Sequence, residues 1–167
     1  MHRFPVSLRA ATTEDADELF EVHQTSVRGL CSSAYSAQHI EAWFEGRTPE
    51  IYRPALEGGH IWVAESETRI VGFVGAEPGE VTLLFVLPEV SGQGLGGKLF
   101  EHGLFVASAA FDGPLTVIAT KNSEHFYQRY GFESVEEQAF VRGSAELHYP
   151  VVRMLQRSRG LSRHATP

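Results

Sequence analysis

The stretch from Val81 to Gly97 constrains the fold of this chain more than any other, because it joins an apolar run to a glycine-dense loop. The apolar run ends at Pro88, four of the six residues from Gly92 to Gly97 are glycine, and a helix-like segment begins near Lys98. At a helix N-terminus the backbone N–H groups converge and the helix dipole favours an anion. The stretch therefore predicts a strand, a phosphate-binding loop and a helix, in that order.

The letters of this loop match the dinucleotide-binding pattern G-x-G-x-x-G, but its surroundings do not. The loop begins four residues after the predicted strand end at Pro88, and the strands before it read as an antiparallel meander without a βαβ unit. About 20 residues onward, where an acid would meet the ribose, the chain has the apolar run Leu115–Ala119. A P-loop is excluded too, because no Gly-Lys-Ser/Thr follows. What remains is a cradle for a pyrophosphate group.

Hydrophobic periodicity divides the chain into helices and strands. Helical spacing marks residues 12–27, 37–45, 48–56, 95–110 and 124–130, and strand-like runs mark 6–10, 61–64, 69–76, 81–87, 115–119, 132–142 and 146–155. Apart from the short 48–56 helix, the order is β-α-α-β-β-β-α-β-α-β-β. We predict an α/β (α+β) fold with a mixed, mostly antiparallel central sheet flanked by helices. Residues 1–155 are expected to form one domain, and 156–167 a polar tail that is disordered at its end.

Composition narrows the classes of function. The net charge of −7 disfavours a nucleic-acid partner, since such proteins usually carry a basic surface. The single cysteine, Cys31, excludes an internal disulfide, and the scattered histidines give no metal-ligand cluster. No apolar run reaches the length of a membrane span, and the first residues lack the hydrophobic segment of a secretory signal. We expect a cytoplasmic protein with no membrane, nucleic-acid or metal partner.

At Val86–Gly96 the chain resembles the GNAT superfamily of acetyl-coenzyme A-dependent N-acetyltransferases. The segment reads Val-Leu-Pro-Glu-Val-Ser-Gly-Gln-Gly-Leu-Gly, and the pyrophosphate motif of that family is Arg/Gln-x-x-Gly-x-Gly/Ala after a strand that ends in Val-x-Pro. Gly94 and Gly96 take the glycine positions. Ser91 stands where arginine or glutamine is usual. This departure affects the contact that the side chain at this position would make with the pyrophosphate.

A second, independent segment carries the same resemblance. Asn122–Phe132 reads Asn-Ser-Glu-His-Phe-Tyr-Gln-Arg-Tyr-Gly-Phe and is similar to the family block Asn-x-x-(Ala)-x-x-Phe-Tyr-x-x-x-Gly-Phe, with one residue fewer between Asn122 and Phe126 than in many members. The order of elements also fits, so the resemblance covers about 8–155. It implies a GNAT-like fold and acetyl-coenzyme A as co-substrate.

The resemblance also implies a set of site residues. Coenzyme A is expected at Phe85, Val86, Ser91, Gly92, Gln93, Gly94, Leu95, Gly96, Gly97, Lys98, Asn122, Phe126 and Tyr127. The two parallel strands 84–87 and 115–119 are expected to splay apart, and the backbone amide of Phe85 to polarise the thioester carbonyl. Tyr127 is the expected general acid, because a phenol of pKa about 10 can protonate a thiolate whose acid has a pKa near 8.5. Its neighbours Phe126 and Tyr130 are expected to take the packing face.

The general base and the acceptor pocket are less defined in the sequence. Relatives often carry an acid near the position of Thr82, whereas here Glu80 is the candidate, acting through water; a bulge that re-aims Thr82, and a merely exposed Glu80, are the alternatives. His23, His125 and His148 are further candidates for the base, with a structural role as the alternative for each. The acceptor is expected between the first two helices and the closing hairpin, near His23, Arg28, Tyr35, Trp43 and Glu146. His23 also suits a plain core histidine.

These residues lead to one main hypothesis of function and two alternatives. The main hypothesis is direct transfer of the acetyl group of acetyl-coenzyme A to a primary amine of a small molecule. The first alternative is acetylation of a protein or peptide amine. The second is a coenzyme A-binding sensor that has lost catalysis. The protein is expected to be a monomer or a homodimer.

Overall fold

A seven-stranded sheet organises the part of the chain that the computed structural model describes, residues 5–154. The strands are β1 (Val6–Ala10), β2 (Ile61–Ser66), β3 (Arg69–Glu77), β4 (Glu80–Val86), β5 (Thr116–Ile118), β6 (Phe132–Arg142) and β7 (Ala145–Met154). Their order across the sheet is β1-β2-β3-β4-β5-β7-β6. Neighbouring strands are antiparallel except β4 and β5, which are parallel. The predicted mixed, mostly antiparallel α/β fold is thereby confirmed.

Five α-helices flank this sheet. They are α1 (Ala16–Leu30), α2 (Ala37–Phe44), α3 (Arg53–Glu57), α4 (Leu95–Ala109) and α5 (Glu124–Gln128). Local sequence sets their starts. The Thr12 backbone N–H donates to the Asp15 carboxylate (2.8 Å) in a capping box ahead of α1, and the Ser36 hydroxyl accepts from His39 N (3.2 Å) at the start of α2. Side chains thus satisfy donors that a helix leaves free at its N-terminus.

The helices lie on both faces of the sheet. The apolar core therefore has two layers, each between the sheet and the helices on one face. On one face α4 packs so close that a Cβ at Gly103 would come within 2.8 Å of Val74. On the other face α1 buries Leu19 and Val22. A second apolar cluster joins α2 to β7 through side chains that include Trp43 and Tyr149.

The pairing of β4 with β5 is short, and this creates the opening on which the site depends. Only Glu80 with Thr116 and Val81 with Val117 are in register, although β4 continues to Val86. Beyond these two residue pairs the strands separate. The backbone of β4 from Thr82 onward therefore has no parallel partner on its β5 side.

A bulge interrupts β4 at the same place. Gly75 pairs with Leu83 but the next residue, Ala76, pairs with Val81, which leaves Thr82 as the extra residue. A Cβ at Gly75 would lie 2.6 Å from Thr82 Oγ1 and 3.2 Å from Leu83 Cβ. Both side chains therefore lie over the same face of the sheet, as expected at a bulge.

Several boundaries differ from the sequence-based prediction. The predicted helix 48–56 is a 3₁₀ turn, Pro49–Tyr52, followed by α3, since Pro54 lies in the first turn of α3 and favours a new helix start there. The predicted helix 124–130 ends at Gln128, because the Tyr130 and Gly131 amides form three-residue turns onto Tyr127 and Gln128. No helix among residues 5–154 is long and apolar enough to cross a membrane. The expected tail, 156–167, lies outside the described residues.

Candidate functional site

A cleft of about 840 Å³ opens where β4 and β5 separate. Its walls come from the end of α1, from β4, from the glycine loop and first turn of α4, from β5 and from α5. The lining residues that the sequence predicted are Phe85, Val86, Ser91, Gly92, Gly94, Gly96, Gly97, Lys98, Asn122, Phe126 and Tyr127. Two separate sequence motifs therefore converge on one cavity.

The glycine loop forms one end of this cleft. Gly94 is the N-cap of α4 with φ of 87°, a left-handed conformation that glycine adopts without strain, and no side chain caps the helix there. The first N–H groups of an α-helix have no intrahelical acceptor. A Cβ at Gly92 or Gly94 would meet no atom within 4 Å, so the loop borders open space. This end of the cleft suits an anion.

Two residues that the sequence reading did not assign strengthen this end of the cleft. Arg129 lines it together with Lys98, and the Arg129 guanidinium carbon lies 5.6 Å from the centre of the Phe126 ring. The Tyr130 hydroxyl sits against the first turn of α4, where a Cβ at Gly97 would come within 2.9 Å of it. Both residues lie in the Asn122–Phe132 block, but their role depends on how α5 packs on α4. Cationic side chains beside a free helix N-terminus fit the phosphates of coenzyme A.

Tyr127 is the most buried of the three aromatic residues around α5. Its side chain is 4% exposed, its ring centre lies 5.1 Å from that of Phe100, and it borders the cleft. The sequence predicted that Phe126 and Tyr130 face the core and that Tyr127 points away from it. In the structure all three rings contact Phe100, so Tyr127 lies on the packing face as well. Burial raises the pKa of Tyr127, so its hydroxyl stays protonated at neutral pH.

Three of the residues predicted for catalysis or coenzyme A binding have side chains outside the cleft. Glu80 is half-buried on the first paired rung of β4, where burial and the nearby Glu77 raise its pKa. Gln93 donates from Nε2 to the carbonyl of Glu89 (3.0 Å), and Leu95 is buried in the core. Only the backbone of Gln93 and Leu95 remains available to a ligand at the loop.

The end of α1 forms another wall of the cleft. Asn122 donates from Nδ2 to the carbonyl of Leu30 (3.1 Å), which fastens the segment before α5 to α1. Ser26 and Cys31 line the cleft beside this contact, and burial raises the pKa of the Cys31 thiol to about 11. No pattern in the sequence points to Ser26 or Cys31, because their position depends on the packing of α1 against β4 and β5.

The predicted acceptor residues do not line this cleft. The Nδ1 atom of buried His23 lies 2.7 Å from the Tyr52 hydroxyl, and its ring centre lies 4.0 Å from that of Phe85. Tyr35 and Trp43 are buried against each other, with ring centres 5.4 Å apart. Arg28 pairs with Glu41 (3.7 Å) and Glu146 with His148 (2.9 Å), both at the surface.

Comparison with known families decides what kind of site this is. The family model for the acetyltransferase (GNAT) domain matches residues 31–152. The chain belongs to the GNAT acetyltransferase family. This confirms the resemblance seen in the sequence, and with it the predicted class of enzyme, an acyltransferase that depends on acetyl-coenzyme A.

Two curated GNAT relatives match most of the chain. The uncharacterised N-acetyltransferase YafP of Escherichia coli is 28% identical over 133 residues, which are 80% of this chain and 85% of YafP. YjaB of Salmonella typhimurium, named a peptidyl-lysine N-acetyltransferase, is 28% identical over 134 residues, 77% of this chain and 83% of YjaB. The name of YjaB therefore specifies an acceptor, a peptidyl lysine, whereas the name of YafP specifies none.

Solved structures share the GNAT fold over nearly their whole length. A GCN5-related N-acetyltransferase from Rhodopseudomonas palustris has a TM-score of 0.81 at 24% identity, with 92% of this chain and 97% of that chain covered. The PaiA N-acetyltransferase of Thermoplasma acidophilum, solved in complex with coenzyme A, has a TM-score of 0.70 at 19% identity, with 89% and 98% covered. At these identities the likeness concerns the fold.

Proposed function

We propose that this GNAT protein transfers the acetyl group of acetyl-coenzyme A directly to a primary amine of a small molecule. The observation that carries the proposal is the separation of β4 from β5 after two paired residues, which opens a cleft between the glycine loop and Tyr127. A long ligand with phosphates at one end and a thioester at the other matches this arrangement. The cleft offers free helix amides and cations at one end and an unpaired strand edge with a phenol at the other.

The glycine loop is proposed to hold the pyrophosphate. The N-terminus of α4 supplies backbone N–H groups and a favourable dipole, and Lys98 and Arg129 add positive charge. Ser91, where relatives have arginine or glutamine, lines the cleft with a short hydroxyl side chain. More of the binding energy is therefore expected from the backbone and from Arg129 than from the Ser91 position.

The open edge of β4 is proposed to orient the rest of the ligand. Acetyl-coenzyme A supplies the acetyl group as a thioester. Backbone groups alternate along β4. The Phe85 amide, the donor predicted from the sequence, faces β3, because Phe85 pairs with Phe73 in the register in which Leu87 N donates to Val71 O (2.9 Å). The amides of Leu84 and Val86 face the gap left by β5, so they can form strand-like hydrogen bonds with the ligand, and one of them is proposed to donate to the thioester carbonyl.

Tyr127 is proposed as the general acid that protonates the leaving thiolate. Burial raises the pKa of its phenol, which keeps the proton on oxygen and available to the thiolate that leaves as the C–S bond breaks. Glu80 is proposed to accept the proton of the amine through water, and its raised pKa makes it a stronger base than an exposed glutamate. Thr82, two residues further on at the bulge, lines the cleft and can hydrogen-bond the same water.

Thiol release from acetyl-coenzyme A tests the proposal. The full chain is incubated with acetyl-coenzyme A and a panel of amino acids, polyamines, aromatic amines and lysine-containing peptides, and products are identified by mass spectrometry. Acetylation of a free small amine with stoichiometric thiol release is the expected result. Tight coenzyme A binding without turnover on any amine would instead establish a sensor.

Peptide acetylation is the second candidate, and one observation favours it. The relative YjaB carries the name of a peptidyl-lysine N-acetyltransferase. A preference of at least tenfold in kcat/KM for lysine peptides over every free amine would assign this function instead. A cytoplasmic location and a monomeric or homodimeric state stay predictions.

A further inference from the structure

The two ends of the cleft lie on opposite faces of the sheet. Phe73 and Phe85 pair in register, and both rings lie near the His23 ring on α1, with centres 6.4 and 4.0 Å from it. The next residue of β3, Val74, faces α4 instead, since a Cβ at Gly103 would come within 2.8 Å of it. Because residues of both helices line the cleft, it passes through the sheet where β4 and β5 separate.

The charged residues that line the cleft all lie at its α4 end. They are Lys98 and Glu101 on α4 and Arg129 at the end of α5. The helix α5 packs on α4 through the contact of the Tyr127 ring with Phe100. The glycine loop, where the phosphates of coenzyme A are proposed to bind, is at this end as well. The thioester arm of the ligand then leads into the gap, so the α1 end remains for the acceptor.

The strand β4 contributes only uncharged side chains to the α1 end. Gly75 lies two residues after Phe73 on β3, so it is on the α1 face of the sheet. A Cβ at Gly75 would contact both Thr82 and Leu83, which places these two side chains on the α1 face together with Phe85. All three line the cleft. They form a wall with two apolar side chains and one hydroxyl.

The strand β5 and the helix α1 complete this wall, again without charge. Val117 is in register with Val81, which faces α4, so the next residue, Ile118, faces α1. Ile118 lines the cleft and is 37% exposed, and Leu30 in the last turn of α1 lines it as well. Glu80 is on the paired rung of β4 and β5 and is not among the lining residues. The α1 end is therefore an uncharged, largely apolar pocket that opens to solvent.

A buried hydroxyl in this pocket is available to a ligand. Ser26 is 4% exposed, lines the cleft and makes no side-chain hydrogen bond to residues 5–154. It lies three residues after His23, whose ring contacts Phe85, and three before Gly29, where a Cβ would overlap the Pro88 ring. Ser26 is therefore beside the open part of β4. A buried hydroxyl without a partner is costly, and such groups commonly bind water or a ligand.

We propose that the pocket at the α1 end binds the acceptor, and that the acceptor is a primary amine with no second charge, such as an alkylamine or an arylalkylamine. This inference rests on the proposed acetylation of a small amine. A second charge on the acceptor would leave water for a wall that offers no counterion, and this costs free energy. The Ser26 hydroxyl hydrogen-bonds the amino group and holds it near the free amides of Leu84 and Val86.

Matched amines that differ by one charged group test the inference. The full chain with acetyl-coenzyme A is assayed on pentylamine against cadaverine, which adds an ammonium group, and on phenethylamine against L-phenylalanine, which adds a carboxylate. Pentylamine and phenethylamine should each have a kcat/KM at least about tenfold higher than the charged partner, because only the partner must bury an unpaired charge.

A charge placed in the wall of the pocket provides a second test. Ile118→Glu should raise the kcat/KM of cadaverine relative to pentylamine by at least about tenfold, because the new carboxylate pairs with the second ammonium group. Ile118→Gln has the same shape without the charge and should leave this ratio as it is. Phe105→Glu adds the same charge at a 73% exposed position of α4 outside the cleft and should also leave it unchanged. Ser26→Ala should raise KM for all four amines alike.

Two results would overturn the inference, and they are distinct from failure of the proposed function. A smaller preference in either amine pair, or equal ratios in Ile118→Glu and Ile118→Gln, removes the uncharged pocket and leaves the acetyltransferase intact. If Ile118→Glu does not fold, the wild-type pairs decide. If no amine is acetylated, the proposed function fails, and calorimetric titration of pentylamine and cadaverine into the coenzyme A complex decides. Tighter binding of pentylamine that Ile118→Glu reverses supports the pocket, and any other pattern rejects it.

Discussion

The coenzyme A half and the acceptor half of the candidate site are built in opposite ways. The coenzyme A half uses backbone groups of contiguous segments, namely the loop before α4 and the free edge of β4. The half in which the sequence predicts the acceptor consists of side chains from three separate places, with His23 on α1, Trp43 on α2 and Tyr149 on the hairpin. The first half depends on chain conformation and tolerates changes of side chain. The second depends on the packing and hydrogen bonds of individual side chains. Substitutions should therefore separate the two halves.

The largest effect is expected from Tyr127→Phe in the coenzyme A half. Loss of the hydroxyl should lower kcat by about 100-fold or more, the range for general acid catalysis, while the Kd for coenzyme A changes by less than about twofold, because the ring still packs on Phe100. Stopped-flow thiol release and calorimetry measure the two quantities. Tyr130→Phe is the contrast: its hydroxyl touches the first turn of α4, so it should weaken coenzyme A binding more than turnover. Unchanged kcat in Tyr127→Phe would remove the general acid role.

A fall in pH is expected to have an effect of intermediate size, which acts on stability through His23 in the acceptor half. Burial, helped by the charge of Arg47, lowers the pKa of His23 from 6.5 to about 3. Between these values the unfolded chain binds a proton that the folded chain does not, so the stability that His23 contributes above pH 6.5 is lost as pH falls. The free energy of unfolding should drop by about 2 kcal/mol between pH 7 and pH 5 from this group alone.

Urea unfolding of two histidine variants isolates that contribution. His23→Gln should flatten the dependence of stability on pH across this range, because the variant has no group to protonate there. His125→Gln, at an exposed position of α5, controls for the loss of a histidine. If the wild type and His23→Gln lose the same free energy of unfolding as the pH falls, His23 is not a buried neutral imidazole in the folded protein.

The smallest effect is expected from Gly94→Ala, which changes only the backbone preference of the coenzyme A half. At φ of 87° an alanine costs about 1–2 kcal/mol, so the loop should shift and the Kd for coenzyme A should rise by about tenfold. Gly46→Ala is a matched control, since Gly46 has φ of 70°, also has open space at its Cβ, and lies at the end of α2. It should lower the melting temperature without changing coenzyme A affinity. Equal affinity in both variants would mean that the backbone of the loop does not bind the ligand.

The sequence predicted many of the residues that line the cleft, because their signals are local. Gly94 takes the left-handed conformation of a tight turn at a helix start, and the apolar run before Pro88 predicts the strand that leads to it. Phe126 and Tyr127 were found through a motif of adjacent residues, and both line the cleft. The relative burial of Tyr127 and Tyr130 was misjudged, since it depends on how α5 lies against Phe100 rather than on helical spacing alone.

The acceptor half could not be predicted in the same way. Sequence reasoning chose Arg28 and Glu146, which the structure pairs with Glu41 and His148 at the surface. These pairings join residues that are distant in the chain or depend on strand register, so they cannot be recognised before the fold is known. The bulge at Thr82 was considered, but its position follows from the register between β3 and β4.

By itself, the sequence determined the fold class, the order of helices and strands, the family and the loop that suits a pyrophosphate. Each of these follows from short-range constraints, namely hydrophobic period, glycine conformation and motif spacing. Only the tertiary structure decided where β4 and β5 separate, that Arg129 lines the cleft and Tyr130 lies against the first turn of α4, and that Glu45 binds the β6–β7 turn. These features depend on which charges and polar atoms are left without partners after packing, and packing joins residues about 100 positions apart in the chain.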